Sequence, residues 1–140
     1  MAVDPPYLDS MRRAEEFVKA ARLCYENKLY NAAAARAYYG VLHAAMAALV
    51  CFAKNYSVRS LMQGKTHKRV AESYDDEFVN RRKLFPDHSG LLQRVRARRE
   101  IADYSIAKGI SEKEARDSVA SAERLLGDVK ERITDEKGYY

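Results

Sequence analysis

The chain has 140 residues, 47% hydrophobic and 32% charged, a balance that excludes a disordered chain and suits one domain with a real core. Its formal charge of +5 permits an anionic partner without requiring one. Two cysteines, Cys24 and Cys51, make no disulfide framework for a chain of this size; with no basic, apolar leader in MAVDPPYLDS, they point to a cytoplasmic location.

Pro5 and Pro6 predict an extended arm, after which Asp9 or Ser10 caps a first helix running to about Asn27. Met11, Ala14, Phe17, Val18, Ala21 and Tyr25 give it one apolar side at the helical period. Asn31 is the expected cap of a second, alanine-rich helix that reaches about Ala53. Small side chains on nearly every face of that helix imply closely packed neighbours, so it should stand at the centre. Its apolar run from Val41 to Ala53 contains His43 and is too short to span a bilayer, so no membrane association is expected.

NYSVRSLMQG reads as an irregular or short helical connection. Thr66 begins a third helix with His67, Val70, Tyr74 and Phe78 along one side. After a break at Phe85 to Ser89, a fourth helix covers about Gly90 to Ala107, and Gly109 is the expected left-handed stop. Ser111 and Glu114 form a capping box for a fifth helix, whose seam is Ala115, Val119, Ala122, Leu126, Val129 and Ile133. Thr134 to Tyr140 is expected to fray. With no strand-like alternation, repeat or linker, the chain is predicted to be all-α. The expected architecture is a single up-and-down bundle of four to five helices over residues 1–140, with short flexible tails.

The fourth helix carries an anomaly. Leu92, Val95, Arg99, Ala102 and Ile106 fall on one face, and only Arg99 is not apolar. Burying an unpaired guanidinium costs several kcal/mol, and the group cannot shed its proton. Arg99 must therefore reach a solvent-filled cleft, pair with a carboxylate, or hold an anion. Asp103 lies one turn on and can pair with it. Arg94, Arg96 and Arg98 raise the local potential in either case, with Arg94 and Arg98 together on an adjacent face. Guanidinium geometry also suits bidentate phosphate binding. If two copies pack through this region, both Arg99 side chains line one groove, and a polyanion relieves their repulsion. On the second helix, Arg36, Tyr39, Gly40, His43 and Ala47 share a face, while Tyr38 falls on a different one. This polar strip is either structural or a ligand contact.

Three segments, ARAYYGVLHAAMAAL (Ala35 to Leu49), THKRV (Thr66 to Val70) and REIADY (Arg99 to Tyr104), in this order, resemble the HEPN domain, most closely its small stand-alone prokaryotic branch. The likeness extends from about Leu8 to Ile133. It implies a helical homodimer in which an arginine and, after four to six intervening residues, a histidine from each subunit face a shared cleft that cuts RNA without a metal. It also implies a toxin–antitoxin-like pairing with a minimal nucleotidyltransferase, or in other members nucleotide binding or a non-catalytic partnership. On this resemblance Arg99 is the family arginine, and Tyr104 stands at or next to the position of the histidine.

That departure matters chemically. Histidine titrates near neutrality, whereas a phenol with a reference pKa of about 10 is a poor base. Tyr104 can still position a phosphate or donate a proton. Among the histidines, His43 is the best geometric substitute, because its helix should adjoin the fourth. His67 matches a histidine common in this branch, yet its place near a helix start equally fits capping or packing. His88 lies about 16 Å before Arg99 along the helix axis, too far for cooperation within one chain.

Three functions follow as expectations: an RNA- or nucleotide-binding homodimer, a metal-independent endoribonuclease, or a structural adaptor. The candidate catalytic groups are Arg99, Tyr104 and His43, and the candidate binding groups are Arg36, Tyr39, Arg98, Arg99 and Asp103. No metal-ligand spacing or glycine-rich phosphate loop is present, so neither metal nor cofactor is expected.

Overall fold

The computed structural model describes residues 4–105 and 108–138. Among them the regular structure is entirely helical: α1 (Pro6–Glu26), α2 (Tyr30–Phe52), α3 (Val58–Leu61), α4 (Thr66–Tyr74), α5 (Leu91–Tyr104) and α6 (Glu112–Lys137). A π-helical segment, Asp75–Arg81, continues α4, and a short 3₁₀ turn, Pro86–His88, precedes α5.

The first helix starts earlier than Asp9 or Ser10, and no side chain caps it. Pro6 occupies its first turn, where the missing N–H costs nothing and the fixed φ already suits a helix. Tyr7, Leu8 and Met11 are buried from the outset, so the apolar face rather than a polar cap sets the boundary. Asn31 is likewise no cap. The second helix begins at Tyr30, and the Asn31 Oδ1 accepts the Ile110 N–H at 2.8 Å, tying the α5–α6 connection to the base of α2.

Helix α2 is the hub, packing against α1, α4, α5 and α6. It is long and apolar enough by composition to cross a bilayer, but 67% of its apolar window is buried inside the bundle. Gly40 permits the closest approach: a Cβ there would stand 2.6 Å from Val18 Cγ2 and 3.3 Å from Val18 N. The alanines around it serve the same end, letting the α1 and α2 backbones meet.

Below the hub, Tyr74, Phe78 and Phe85 form a buried aromatic cluster around His88, which is 0% exposed. A carboxylate only accepts, so His88 Nε2 donates to Asp128 Oδ2 at 2.7 Å, while Nδ1 bonds the Tyr74 hydroxyl at 2.7 Å. His88 is thus a satisfied strut between α4 and α6.

Gly90 adopts φ 72° at the start of α5. The helix ends at Tyr104, before Gly109, which is not among the positive-φ glycines. The expected glycine stop is therefore not used; Gly109 instead lies close against the Asn31 side chain. Ile106 and Ala107, the expected end of that helix, lie outside the described residues. The Ser111–Glu114 capping box is present, each side chain bonded to the other's backbone N–H at 3.1 Å. The α6 seam is buried at Ala115, Val119, Ala122, Val129 and Ile133, with Leu125 buried and Leu126 half-buried. Residues 134–137 remain helical and Gly138 closes the helix at φ 73°, a left-handed terminus where fraying was expected.

Candidate anion-binding site

Arg99 sits on the inward face of α5 and is only 9% exposed. Its guanidinium carbon lies 5.2 Å from the ring centre of Tyr38, 5.9 Å from Tyr39 and 5.7 Å from Tyr104. Such contacts stabilise a cation by about 0.5–2 kcal/mol, more when water is excluded. The expected partner is present: Asp103 Oδ2 stands 3.6 Å from Nη1, an ion pair but too long for a good hydrogen bond. Nε is buried and unbonded. Burial opposes the charge, yet Tyr39, Tyr38 and Tyr104 favour it more strongly, and Arg99 titrates above its ordinary value. The cation is flanked by aromatic rings, with Tyr39 also favouring its charge through a side-chain hydrogen bond, while Nε is left unbonded. Tyr104 is 71% exposed, so this box is open to solvent on one side.

Contrary to the expected face, Tyr38 belongs to this site. Its hydroxyl shares a hydrogen bond with His67 Nδ1, and its ring stacks on the imidazole at 5.5 Å between centres. The helical wheel separates Tyr38 from Tyr39 by one residue's rotation, but the rings lie 5.5 Å apart and both flank the same guanidinium. Burial is the main reason the Tyr38 phenol is pushed up to about 12. Burial, then Arg99 and Arg96, lower the His67 pKa. Both groups are therefore neutral at neutral pH. His67 Nε2 has no hydrogen-bond partner among the described residues.

The other candidates divide. Tyr39, Asp103 and Tyr104 join Arg99. Arg98 does not: it bonds Asp117 on α6, and Arg94 Nε reaches the same carboxylate at 3.2 Å. These two arginines clamp α5 to α6 through one carboxylate. Arg36 is exposed on α2, with no hydrogen bond or ion pair to the described residues. His43 stacks on Phe17 at 5.5 Å, and Phe17 in turn meets Tyr39 at 5.6 Å. Ring contacts thus run from His43 through Phe17 to Tyr39, which flanks the guanidinium. Its Nδ1 is buried without a partner, and burial chiefly lowers its pKa.

His67, rather than His43, shares an aromatic partner with Arg99. Periodicity on one helix cannot reveal a contact between α4 and α2; the only signal was the histidine inside THKRV. Arg96 was also passed over as background charge, although its field acts on both Tyr38 and His67. It pairs with Glu100 at 3.5 Å.

An arginine flanked by tyrosines at the junction of α2 and α5, with an imidazole from α4 stacked on one of them, marks the candidate site of this helical bundle. The sequence profile of the HEPN domain matches residues 7–132, and the chain belongs to that family. It is similar to a protein of Methanocaldococcus jannaschii named "Putative toxin MJ0605", 32% identical over 122 residues, which cover 87% of this chain and 84% of the relative.

Proposed function

We propose that this protein is a toxin-like HEPN homodimer that binds RNA or nucleotide phosphate through Arg99, working beside a minimal nucleotidyltransferase as its antitoxin-like partner. The observation that carries the reading is the state of Arg99. A guanidinium taken out of water should be fully hydrogen-bonded, but this one has a distant carboxylate and an orphaned Nε. An incoming phosphate supplies the acceptors it lacks. The open ring of Tyr104 beside it is a stacking surface for a base, which suits single-stranded rather than duplex RNA. The toxin-like character rests on the family and on the name of the archaeal relative.

The test is equilibrium binding of a fluorescent single-stranded RNA to protein whose dimeric state is established by sedimentation. Arg99→Ala should weaken binding by about tenfold or more, as expected for a lost charged hydrogen bond. Arg124→Ala, whose partner Asp87 lies away from the box, should change it little. Equal losses would reduce the interaction to diffuse charge. A monomer at micromolar concentration would remove the shared cleft.

A further inference from the structure

We propose that Asp103 is the specificity-determining residue of this site, admitting the singly charged phosphodiester within an RNA strand and turning away the doubly charged phosphate of a strand end or a free nucleotide. The inference rests on the RNA-binding reading above and narrows it to one class of phosphate.

The charges gathered at the site come from one helix. Along α5, Arg96 stands 3.5 Å from Glu100 and Arg99 stands 3.6 Å from Asp103, each pair one turn apart. Both separations are too long for good hydrogen bonds, and the Nε of each arginine is buried and unbonded. Arg96, Arg99 and Glu100 all act on the Tyr38 hydroxyl, which places the two pairs side by side. The Tyr38 phenol, pushed up to about 12, and the His67 imidazole, with its lowered pKa, add no charge at neutral pH. Two guanidinium groups and two carboxylates therefore leave the site formally neutral.

Such a site treats one and two negative charges differently. Arg99 offsets the single charge of a diester, and the phosphate oxygens accept from donors that the loose carboxylate leaves idle. Asp103 yields its place at little cost, since its side chain is 35% exposed and can turn to water. The second charge of a monoester has no counterpart. It meets Asp103 and Glu100, and like charges at close range repel. It must also shed hydration beside the tyrosine rings, a cost that rises steeply with charge. Asp103 and Tyr104 are both exposed, so the carboxylate flanks the open side by which a ligand enters. A cationic surface without these carboxylates would rank the two phosphates in the opposite order, the dianion binding more tightly.

The experiment displaces a fluorescent single-stranded RNA from the full chain at pH 7.5, with Arg99→Ala run alongside to show that the signal reports this site. One competitor is adenosine 5′-monophosphate, which carries about two negative charges at that pH. The other is its methyl ester, which carries one. In wild type the methyl ester should compete at about one-tenth the concentration of the parent nucleotide. Asp103→Asn keeps the shape of the side chain and removes its charge. The parent nucleotide should then gain about tenfold and the methyl ester no more than about threefold, closing the gap. Asp135→Asn removes the same charge beside Leu84 and Asp128, at the opposite end of α6 from Asp117, and should rank the competitors as wild type does.

A parent nucleotide that competes as well as its methyl ester, or better, overturns the assignment to Asp103. So does an equal gain for both competitors in Asp103→Asn, or competition by neither. In each case RNA held through Arg99 leaves the binding reading standing. RNA affinity unchanged in Arg99→Ala overturns both.

Discussion

The hydroxyl of Tyr38 on α2 and the imidazole of His67 on α4 share a hydrogen bond, while the Tyr38 ring also flanks Arg99 of α5. Three helices distant in sequence thus meet at one phenol. Removing the hydroxyl by Tyr38→Phe keeps the ring and its cation contact but leaves Nδ1 unsatisfied. The protein should lose about 1–2 kcal/mol, read as a shift in the urea midpoint at unchanged slope.

His88 predicts a larger effect. It is wholly enclosed and bonded at both nitrogens, so His88→Ala opens a cavity and strands the Tyr74 hydroxyl. A loss of about 3 kcal/mol or more is expected from these combined penalties. RNA binding by the fraction that remains folded should be unaffected. A stable His88→Ala protein would contradict the buried strut.

Gly40→Ala tests the closeness of α1 and α2. The added methyl meets Val18 at 2.6 Å from Cγ2 and 3.3 Å from the backbone nitrogen. A β-branched side chain cannot swing away freely, and the backbone cannot move without shifting α1. Overpacking of this kind costs about 1–3 kcal/mol; thermal denaturation should show a lower midpoint rather than the gain that alanine normally brings to a helix.

Stability should also fall with acid. The pKa values of His43 and His67 are lowered in the folded chain. As pH drops through the unfolded-state value of about 6.5, the unfolded chain takes up protons that the folded chain refuses, and stability is lost until the folded pKa values are passed. Glu114, Asp117 and Asp87 are also depressed, so a second loss follows lower, as pH falls through their folded pKa values. Denaturant midpoints from pH 7.5 to 5 should decline, and His67→Asn should flatten the upper part of the curve.

Much of the fold was legible because its signals are local. The Ser111–Glu114 capping box, the α6 seam and the small-residue face of α2 are each read within a few turns of one helix. Boundaries were missed where tertiary contacts govern them: Asn31 binds Ile110 rather than capping α2, and burial of Tyr7 and Leu8 draws α1 back to Pro6. The site was half legible. An arginine among apolar residues on α5 is an anomaly within one helix, so Arg99 and its neighbour Asp103 could be found. The contact between Tyr38 and His67 joins residues 29 apart, and helical periodicity carries no information across that distance. The same limit put Arg98 with Arg99 by proximity in sequence, although the chain turns Arg98 toward Asp117.

The most direct measurement of the central claim is the nuclear magnetic resonance shift of the Arg99 side-chain Nε–H, assigned by its loss in Arg99→Lys, as single-stranded RNA is added to the protein. Because that N–H is buried and unbonded, an anion docking on the guanidinium should move its resonance further than those of Arg94 and Arg98, which already bind Asp117. RNA that binds and shifts Arg94 and Arg98 while leaving Arg99 unmoved would contradict the account.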